Sequence, residues 1–314
     1  MSEHRSAAEE RRDQGHSEQE IDGRRLDAPD KAAVLAEALP YIRRFWGKIV
    51  VVKYGGAAMN DPALAVSFAQ DIVLMLSVGM RPVVVHGGGP QIGRLMARLG
   101  MEPQFRDGLR VTDAETLEIA RMVLVGKVNR DVVSSLNVHG PLAVGLSGED
   151  AGLIIASARS PELGFVGDVV DVNPQIIERL LAEELIPVVA TIGTDTGGQA
   201  YNVNADTAAA AIAAAMNAEK LVYLTDVPGL LGDVNDPASL IGAVTVDDLD
   251  GLLAGGTLSG GMIPKIRSCV RAVRGGVIQA HIVDGRVPHV LLLEFFTREG
   301  IGTMVMAGEA AADR

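Results

Sequence analysis

From Ile49 onward, short runs of β-branched and aliphatic residues alternate with longer stretches whose apolar positions recur every three or four residues. The short runs read as strands and the longer stretches as amphipathic helices. Ile49–Val52 is apolar at every position, as befits a strand buried on both faces of a sheet. Further strands are predicted over Pro82–Val85, Leu142–Leu146, Pro187–Thr191, Leu221–Leu224, Ala280–Val283 and Val290–Leu293. Asp61-Pro62 predicts a capped helix start, with the helix running to about Val78. Pro90 opens another helix, and Asp107-Gly108 reads as a tight turn. Thr112 and Glu115 have the spacing of a capping box before a long helix. Upstream, Val34, Leu35, Ala38, Leu39 and Ile42 predict one apolar helix face ending near Phe45, Trp46 and Gly47. Residues 1–27 mix charges of both signs with serine and glycine and show no periodicity, so a disordered tail is expected there.

Repeated β-α alternation predicts an α/β fold with a mainly parallel sheet covered by helices on both faces. Ligands of such sheets sit at the carboxyl ends of the strands. Glycine clusters fall there: Gly55-Gly56 after the first strand, Gly87-Gly88-Gly89 after the second, and Asp226 to Gly229 after a later one.

Composition narrows the picture by exclusion. The chain of 314 residues carries a formal charge of −12, which repels nucleic-acid backbones and anionic lipid. Neither nucleic acid nor membrane is expected as a partner. The longest apolar run, Ala205 to Ala218, is shorter than the ~18–20 residues that span a bilayer. No apolar segment near the start resembles a secretion signal, so a cytoplasmic protein is expected. One cysteine, Cys269, forbids an internal disulfide and a multi-cysteine metal site.

Three glycines between a strand and a helix present bare amides to one point, an arrangement that suits phosphate but equally serves a tight turn. Residue 92 is isoleucine, so Gly87–Gly89 does not begin a dinucleotide-binding G-x-G-x-x-G, and no P-loop motif occurs. Lys53 ends an apolar strand just before Gly55-Gly56, and Lys265 follows Gly260-Gly261-Met262-Ile263-Pro264. Each lysine alone is explained as well by a solvated side chain. Asp206 precedes the alanine-rich run and suits a helix N-terminus without further purpose. Arg110, after the Asp107-Gly108 turn, is either a surface arginine or a bidentate clamp for a carboxylate.

Six strings in order are similar to the amino acid kinase superfamily, most closely to its N-acetylglutamate kinases. They are Val52-Lys53-Tyr54-Gly55-Gly56, Val84-Val85-His86-Gly87-Gly88-Gly89-Pro90-Gln91, Gly108-Leu109-Arg110-Val111-Thr112, Asn202-Val203-Asn204-Ala205-Asp206, Leu224-Thr225-Asp226-Val227-Pro228-Gly229 and Gly261-Met262-Ile263-Pro264-Lys265. The resemblance covers roughly residues 40 to 306. It implies a three-layer αβα sandwich with two lobes: an acetylglutamate-binding lobe over 47–217 and an ATP-binding lobe over 218–309. A helix over 28–46 would link subunits, and a short tail would occupy 310–314.

The same resemblance implies roles. Lys53 and Lys265 neutralise the transferring phosphoryl group, and Asp206 holds both lysines. Gly55, Gly56, Gly87, Gly88 and Gly89 form the phosphate-binding backbone. Arg110 and Asn202 grip the acetylamino acid together with Gly88 and Gly89. Thr225, Asp226, Gly229, Gly261, Met262 and Lys265 surround the nucleotide. The implied reaction is ATP-dependent phosphorylation of the side-chain carboxylate of N-acetyl-L-glutamate, with Mg²⁺ held by phosphates and water rather than by protein ligands. Lys220, His281, Glu294 and Gly302 would surround arginine as a feedback inhibitor, and a hexamer built as a trimer of dimers is the implied assembly. The alternatives are an N-acetyl-aminoadipate kinase, one methylene away in substrate, and a non-catalytic arginine- or metabolite-binding module.

Overall fold

The structure is a computed structural model that describes residues 27–106, 108–233, 236–255, 262–297 and 300–308. The expected tails at 1–27 (Asp27 excepted) and 310–314, and Asp107 of the predicted turn, lie outside these residues. The chain divides into two compact units, residues 1–40 and 41–314. The described part of the first unit is helical and belongs to the helix Ala28–Phe45, which contains Pro40.

In the second unit the strands are β1 (Ile49–Tyr54), β2 (Arg81–His86), the short hairpin β3 (Phe105–Arg106) and β4 (Leu109–Arg110), and β5 (Ala143–Ser147). They continue with β6 (Ile154–Ala158), β7 (Val166–Val172), β8 (Ile186–Ala190), β9 (Ile192–Thr194) and β10 (Ala200–Val203). The last are β11 (Lys220–Thr225), β12 (Ala243–Thr245), β13 (Gln279–Asp284) and β14 (Thr303–Met306). Eight of them form the main sheet in the order β12-β14-β13-β11-β1-β2-β8-β5. Every neighbouring pair is parallel except β13 and β14.

Side chains alternate across each strand, so the central strands feed two separate cores. Val50, Val52 and Tyr54 pack on one face with the helices Pro62–Ser77, Asn129–Asn137 and Val290–Phe296. Val51, Val83, Leu221 and Tyr223 pack on the other face with the helices Ala205–Ala215 and Ile263–Arg274. The expected three-layer αβα arrangement with a mainly parallel sheet is therefore present. By the same alternation Lys53 faces Ala205–Ala215, the side on which its partner lies.

Three expectations need correction. Val290–Leu293 is the start of a helix, not a strand. Its buried positions, Val290, Leu291, Glu294 and Phe295, follow helical spacing, which a short apolar run does not reveal by itself. The closing strand is instead β14, antiparallel to β13. Thr112 is not the helix cap; Asp113 is, and its carboxylate accepts from the Thr116 amide at 2.8 Å. Thr112 pairs with Gly164 as an isolated bridge. The long helix expected after it is interrupted: α-helical turns Ala114–Arg121 pass into π-helical turns Met122–Val128 before α-helix resumes at Asn129.

Eight strands lie outside the expectations from sequence: β3, β4, β6, β7, β9, β10, β12 and β14. β6, β7, β9 and β10 close into a small barrel. β9 and β10 are short, and Gly167 of β7 and Gly193 of β9 break the apolar pattern at close approaches to Tyr201 and Ile154. This barrel carries Asn202 on β10 toward the carboxyl end of the main sheet.

Candidate active site

The glycine turns, the lysines and Asp206 meet where β1, β2 and β11 end. Asp206 stands in the first turn of the helix Ala205–Ala215, whose N-cap, Asn204, accepts from the Asp206 and Thr207 amides at 3.0 Å each. Lys53 Nζ lies 3.0 Å from Asp206 Oδ1, and Lys265 Nζ lies 3.2 Å from Oδ2. Lys265 enters from the first turns of the helix Ile263–Arg274. Burial opposes the charge on Asp206, but the two ammonium groups outweigh it and hold the carboxyl below its ordinary range. One carboxylate thus fixes two cations brought in by separate elements.

A Cβ at Gly55 would lie 2.8 Å from Lys53 Nζ, so a side chain there would push the lysine from its position beside Asp206. Gly56 adopts φ +70° and faces the Asp226 carboxylate so closely that a side chain would collide with it. Gly88 has Leu124 and Val128 of the π-helical turns packed directly on it, with a Cβ position 2.6 Å from Leu124 Cδ2.

Two cavities open on this centre. The first, about 290 Å³, is lined by Lys53, Gly55, Gly56, Gly87, Gly88, Gly89, Arg110, Asn202 and Asp206. Arg110 Nη2 donates to the Gly89 carbonyl at 2.8 Å, and its guanidinium lies over the Phe105 ring at 4.9 Å. Asn202 Nδ2 donates to Thr112 Oγ1 at 3.3 Å. The second cavity, about 350 Å³, is lined by Leu224, Thr225, Asp226, Val227, Met262 and Lys265, and again by Lys53 and Gly56. Lys53 and Gly56 form the wall between the two.

All the anticipated residues of the first cavity come together there. Of the anticipated nucleotide residues, Gly229 is not in the lining of the second cavity. It lies at φ +150° against Thr303, whose Oγ1 would be 2.6 Å from a Cβ. Gly261 lies outside the described residues. Met59, Leu124 and Thr191 line the first cavity without having been anticipated. Leu124 reads in the sequence as an ordinary core leucine, and only the π-helical turn brings it under Gly88. Among the described residues, no three His, Cys, Asp or Glu side chains converge on a point that would hold a metal ion.

A third cavity, about 100 Å³, lies away from this centre and is lined by Lys220, His281, Glu294 and Gly302, with Tyr41, Arg44, Phe45 and Phe295. Glu294 Oε1 is 3.3 Å from Lys220 Nζ and 2.6 Å from His281 Nδ1, and Oε2 accepts from the Ile301 amide at 3.2 Å. Burial works against the Glu294 charge, yet His281 and Lys220 pull its pKa down to about 2. Lys220 Nζ lies 5.1 Å from the Phe45 ring and 5.0 Å from the Phe295 ring, in cation–π range of both.

Comparison with known proteins agrees with this geometry. Residues 48–284 match the model of the amino acid kinase family. Acetylglutamate kinase of Symbiobacterium thermophilum is 59% identical over 288 residues, covering 89% of this chain and 98% of that protein. N-acetylglutamate synthase of Neisseria gonorrhoeae, solved with coenzyme A and N-acetyl-glutamate, superposes with a TM-score of 0.78 at 28% identity. That match covers 88% of this chain but only 63% of the synthase, so this chain spans less than two thirds of the synthase's length. A second structure of the synthase, with coenzyme A and L-arginine, gives a TM-score of 0.73 at 27% identity. A match this extensive, over a site of this composition, places the chain in the amino acid kinase family, among its acetylglutamate kinases.

Proposed function

We propose that the two cavities are the halves of one phosphotransfer site, in which ATP phosphorylates the side-chain carboxylate of N-acetyl-L-glutamate. The observation that carries this reading is the shared wall: Lys53 and Gly56 line both cavities, so a phosphoryl group passing between them passes that lysine and that amide. The acceptor occupies the first cavity, with the Arg110 guanidinium paired to its α-carboxylate and Asn202 on its acetylamino group. ATP occupies the second, beside Thr225, Asp226 and Met262.

The acceptor carboxyl, with a reference pKa near ~4.3, is already ionised at neutral pH, so no general base is needed. One carboxylate oxygen bonds to the γ-phosphorus as the bond to the β,γ-bridging oxygen breaks, giving N-acetyl-L-glutamyl 5-phosphate and ADP. The difficulty is charge, since an anion approaches an anionic phosphoryl group. Lys53 and Lys265, both oriented by Asp206, place positive charge around the equatorial oxygens. The Gly56, Gly88 and Gly89 amides supply further donors. The donor set suits a nucleotide whose magnesium ion is carried by phosphate and water, and that ion supplies additional neutralisation when bound. In this reading the enzyme works in the cytoplasm, in arginine biosynthesis.

The third cavity is read as the site of feedback inhibition by arginine. Glu294 is the carboxylate for the guanidinium, which would compete with Lys220 for it. The helix Ala28–Phe45 is read as the element that links dimers into a hexamer, since Val34, Leu35 and Leu39 are exposed apolar side chains along it.

The test of the main reading is release of ADP from ATP and Mg²⁺ with N-acetylglutamate as acceptor, compared with N-acetyl-aminoadipate. Turnover selective for N-acetylglutamate supports it. Preference for the longer acid would move the substrate by one methylene, and no ADP release with either would end the kinase assignment.

A further inference from the structure

His86 is fully buried at the end of β2, immediately before the glycine turn, and the phosphotransfer chemistry described above makes no use of it. Its Nδ1 lies 2.9 Å from the Gly87 carbonyl oxygen, which can only accept, so Nδ1 carries the proton. Its Nε2 lies 3.1 Å from Asn129 Nδ2. That amide nitrogen also faces the Val188 carbonyl at 2.8 Å and the Leu146 carbonyl at 3.3 Å, two acceptors that fix the orientation of the Asn129 side chain and leave Nε2 facing a group that cannot accept. Nε2 must therefore be the acceptor, and the ring is neutral and in one tautomer. Burial favours the neutral ring as well, pushing the pKa of His86 down to about 4. The Gly87 amide is held too, donating to the Tyr54 carbonyl at 3.2 Å.

A trans peptide is planar, so its C=O and N–H point to opposite sides. With the Gly87 carbonyl turned inward to His86, the N–H of the same peptide, that of Gly88, points outward, and Gly88 lines the first cavity. We infer that His86 is a positioning residue for phosphoryl transfer, clasping the Gly87 carbonyl so that the Gly88 amide is aimed at the reacting group. This rests on reading the first cavity as the transfer site. Asn129, arriving at the end of the π-helical turns, locks the tautomer that makes the clasp possible.

Two substitutions separate this role from simple packing. The side-chain nitrogen of asparagine sits where Nδ1 of histidine sits, so His86→Asn keeps a donor for the Gly87 carbonyl and loses the contact with Asn129. His86→Gln places its amide where Nε2 sits, keeping the contact with Asn129 and losing the clasp. A mis-aimed amide forfeits part of the ~10²–10³ that such a donor contributes. The expected result is a kcat for His86→Gln about 10–100-fold below that of His86→Asn, with the KM values of both substrates within about threefold. Equal kcat values in the two folded variants would overturn the proposal. Nitrogen NMR of the wild-type imidazole provides a reading that needs no turnover and no variant. A neutral ring protonated on Nδ1 is expected, and an Nε2–H ring at neutral pH would overturn the clasp. Failure of the wild-type protein to turn over N-acetylglutamate would instead strike at the cavity assignment, leaving the tautomer to decide the clasp.

Discussion

Asp206 shows how one side chain acquires a purpose its local sequence does not express. In the chain it is an ordinary first-turn acid; in the fold it bridges two lysines 59 and 153 positions away on opposite sides. If Lys53 acts on the transferring phosphoryl group, Lys53→Ala should lower kcat by ~10²–10³ while KM for either substrate changes far less. Steady-state kinetics with both substrates varied would check this, and near-normal kcat would remove Lys53 from the chemistry. Glu294 carries a different consequence. Its folded pKa of about 2 lies below its ordinary 4.5, so its contribution to stability is complete above 4.5 and is lost as pH falls toward 2. Glu294→Gln leaves Lys220 buried without its carboxylate, and a broken buried pair costs about 3–5 kcal/mol at neutral pH. Melting temperatures of the two proteins should differ most near pH 7 and converge between pH 4.5 and 2. A gap that stays constant with pH would mean that Glu294 is not held ionised.

The segment from Thr112 to Asn137 joins the first cavity to the helical layer. Thr112 and Asp113 are adjacent and do separate things. Asp113 caps the helix, so Asp113→Ala should cost about 1 kcal/mol of stability and leave the acceptor KM nearly unchanged. Thr112 receives the Asn202 amide and has its own hydroxyl donated to the Arg110 carbonyl at 2.9 Å. If Arg110 and Asn202 bind the acceptor, Thr112→Ala should loosen both and raise KM for N-acetylglutamate several-fold, with KM for ATP little altered. Denaturant melts and kinetics on the two variants would show whether the effects separate in this way; an exchanged pattern would restore Thr112 as the cap. A capping box and a simple Asp cap look alike in sequence here, because Thr112, Asp113 and Glu115 satisfy either pattern until the backbone dihedrals choose.

For the molecule as a whole, the division after Pro40 matters more than the predicted helix end at Trp46. Tyr41, Arg44 and Phe45 line the third cavity, and Phe45 is buried against Phe295 with ring centroids 5.2 Å apart. Removing residues 1–40 spares these side chains, so the shortened protein should keep its kinase activity. If the helix links subunits, the shortened protein should also sediment as a smaller oligomer and lose inhibition by millimolar arginine. An unchanged oligomer with intact inhibition would show that this helix has neither role.

Periodicity alone was enough for the parallel sheet, for most of its strands and for the position of the glycine turns. Each of these depends on interactions within a few residues or on burial of a whole strand. Lys53, Asp206, Lys265, Arg110 and Asn202 were legible only as a set of strings in family order, since each one has an ordinary explanation by itself. The small barrel, the helix Val290–Phe296, the packing of Gly229 against Thr303 and that of Leu124 on Gly88 could not be read in advance. They depend on which distant backbone packs against a short segment: Thr303 against Gly229, the π-helical turns against Gly88, Asp71 and His289 beside the start of the last helix. The buried His86–Asn129 pair belongs with them, because a tautomer is set by what faces each ring nitrogen, and here the two partners come from different layers of the fold.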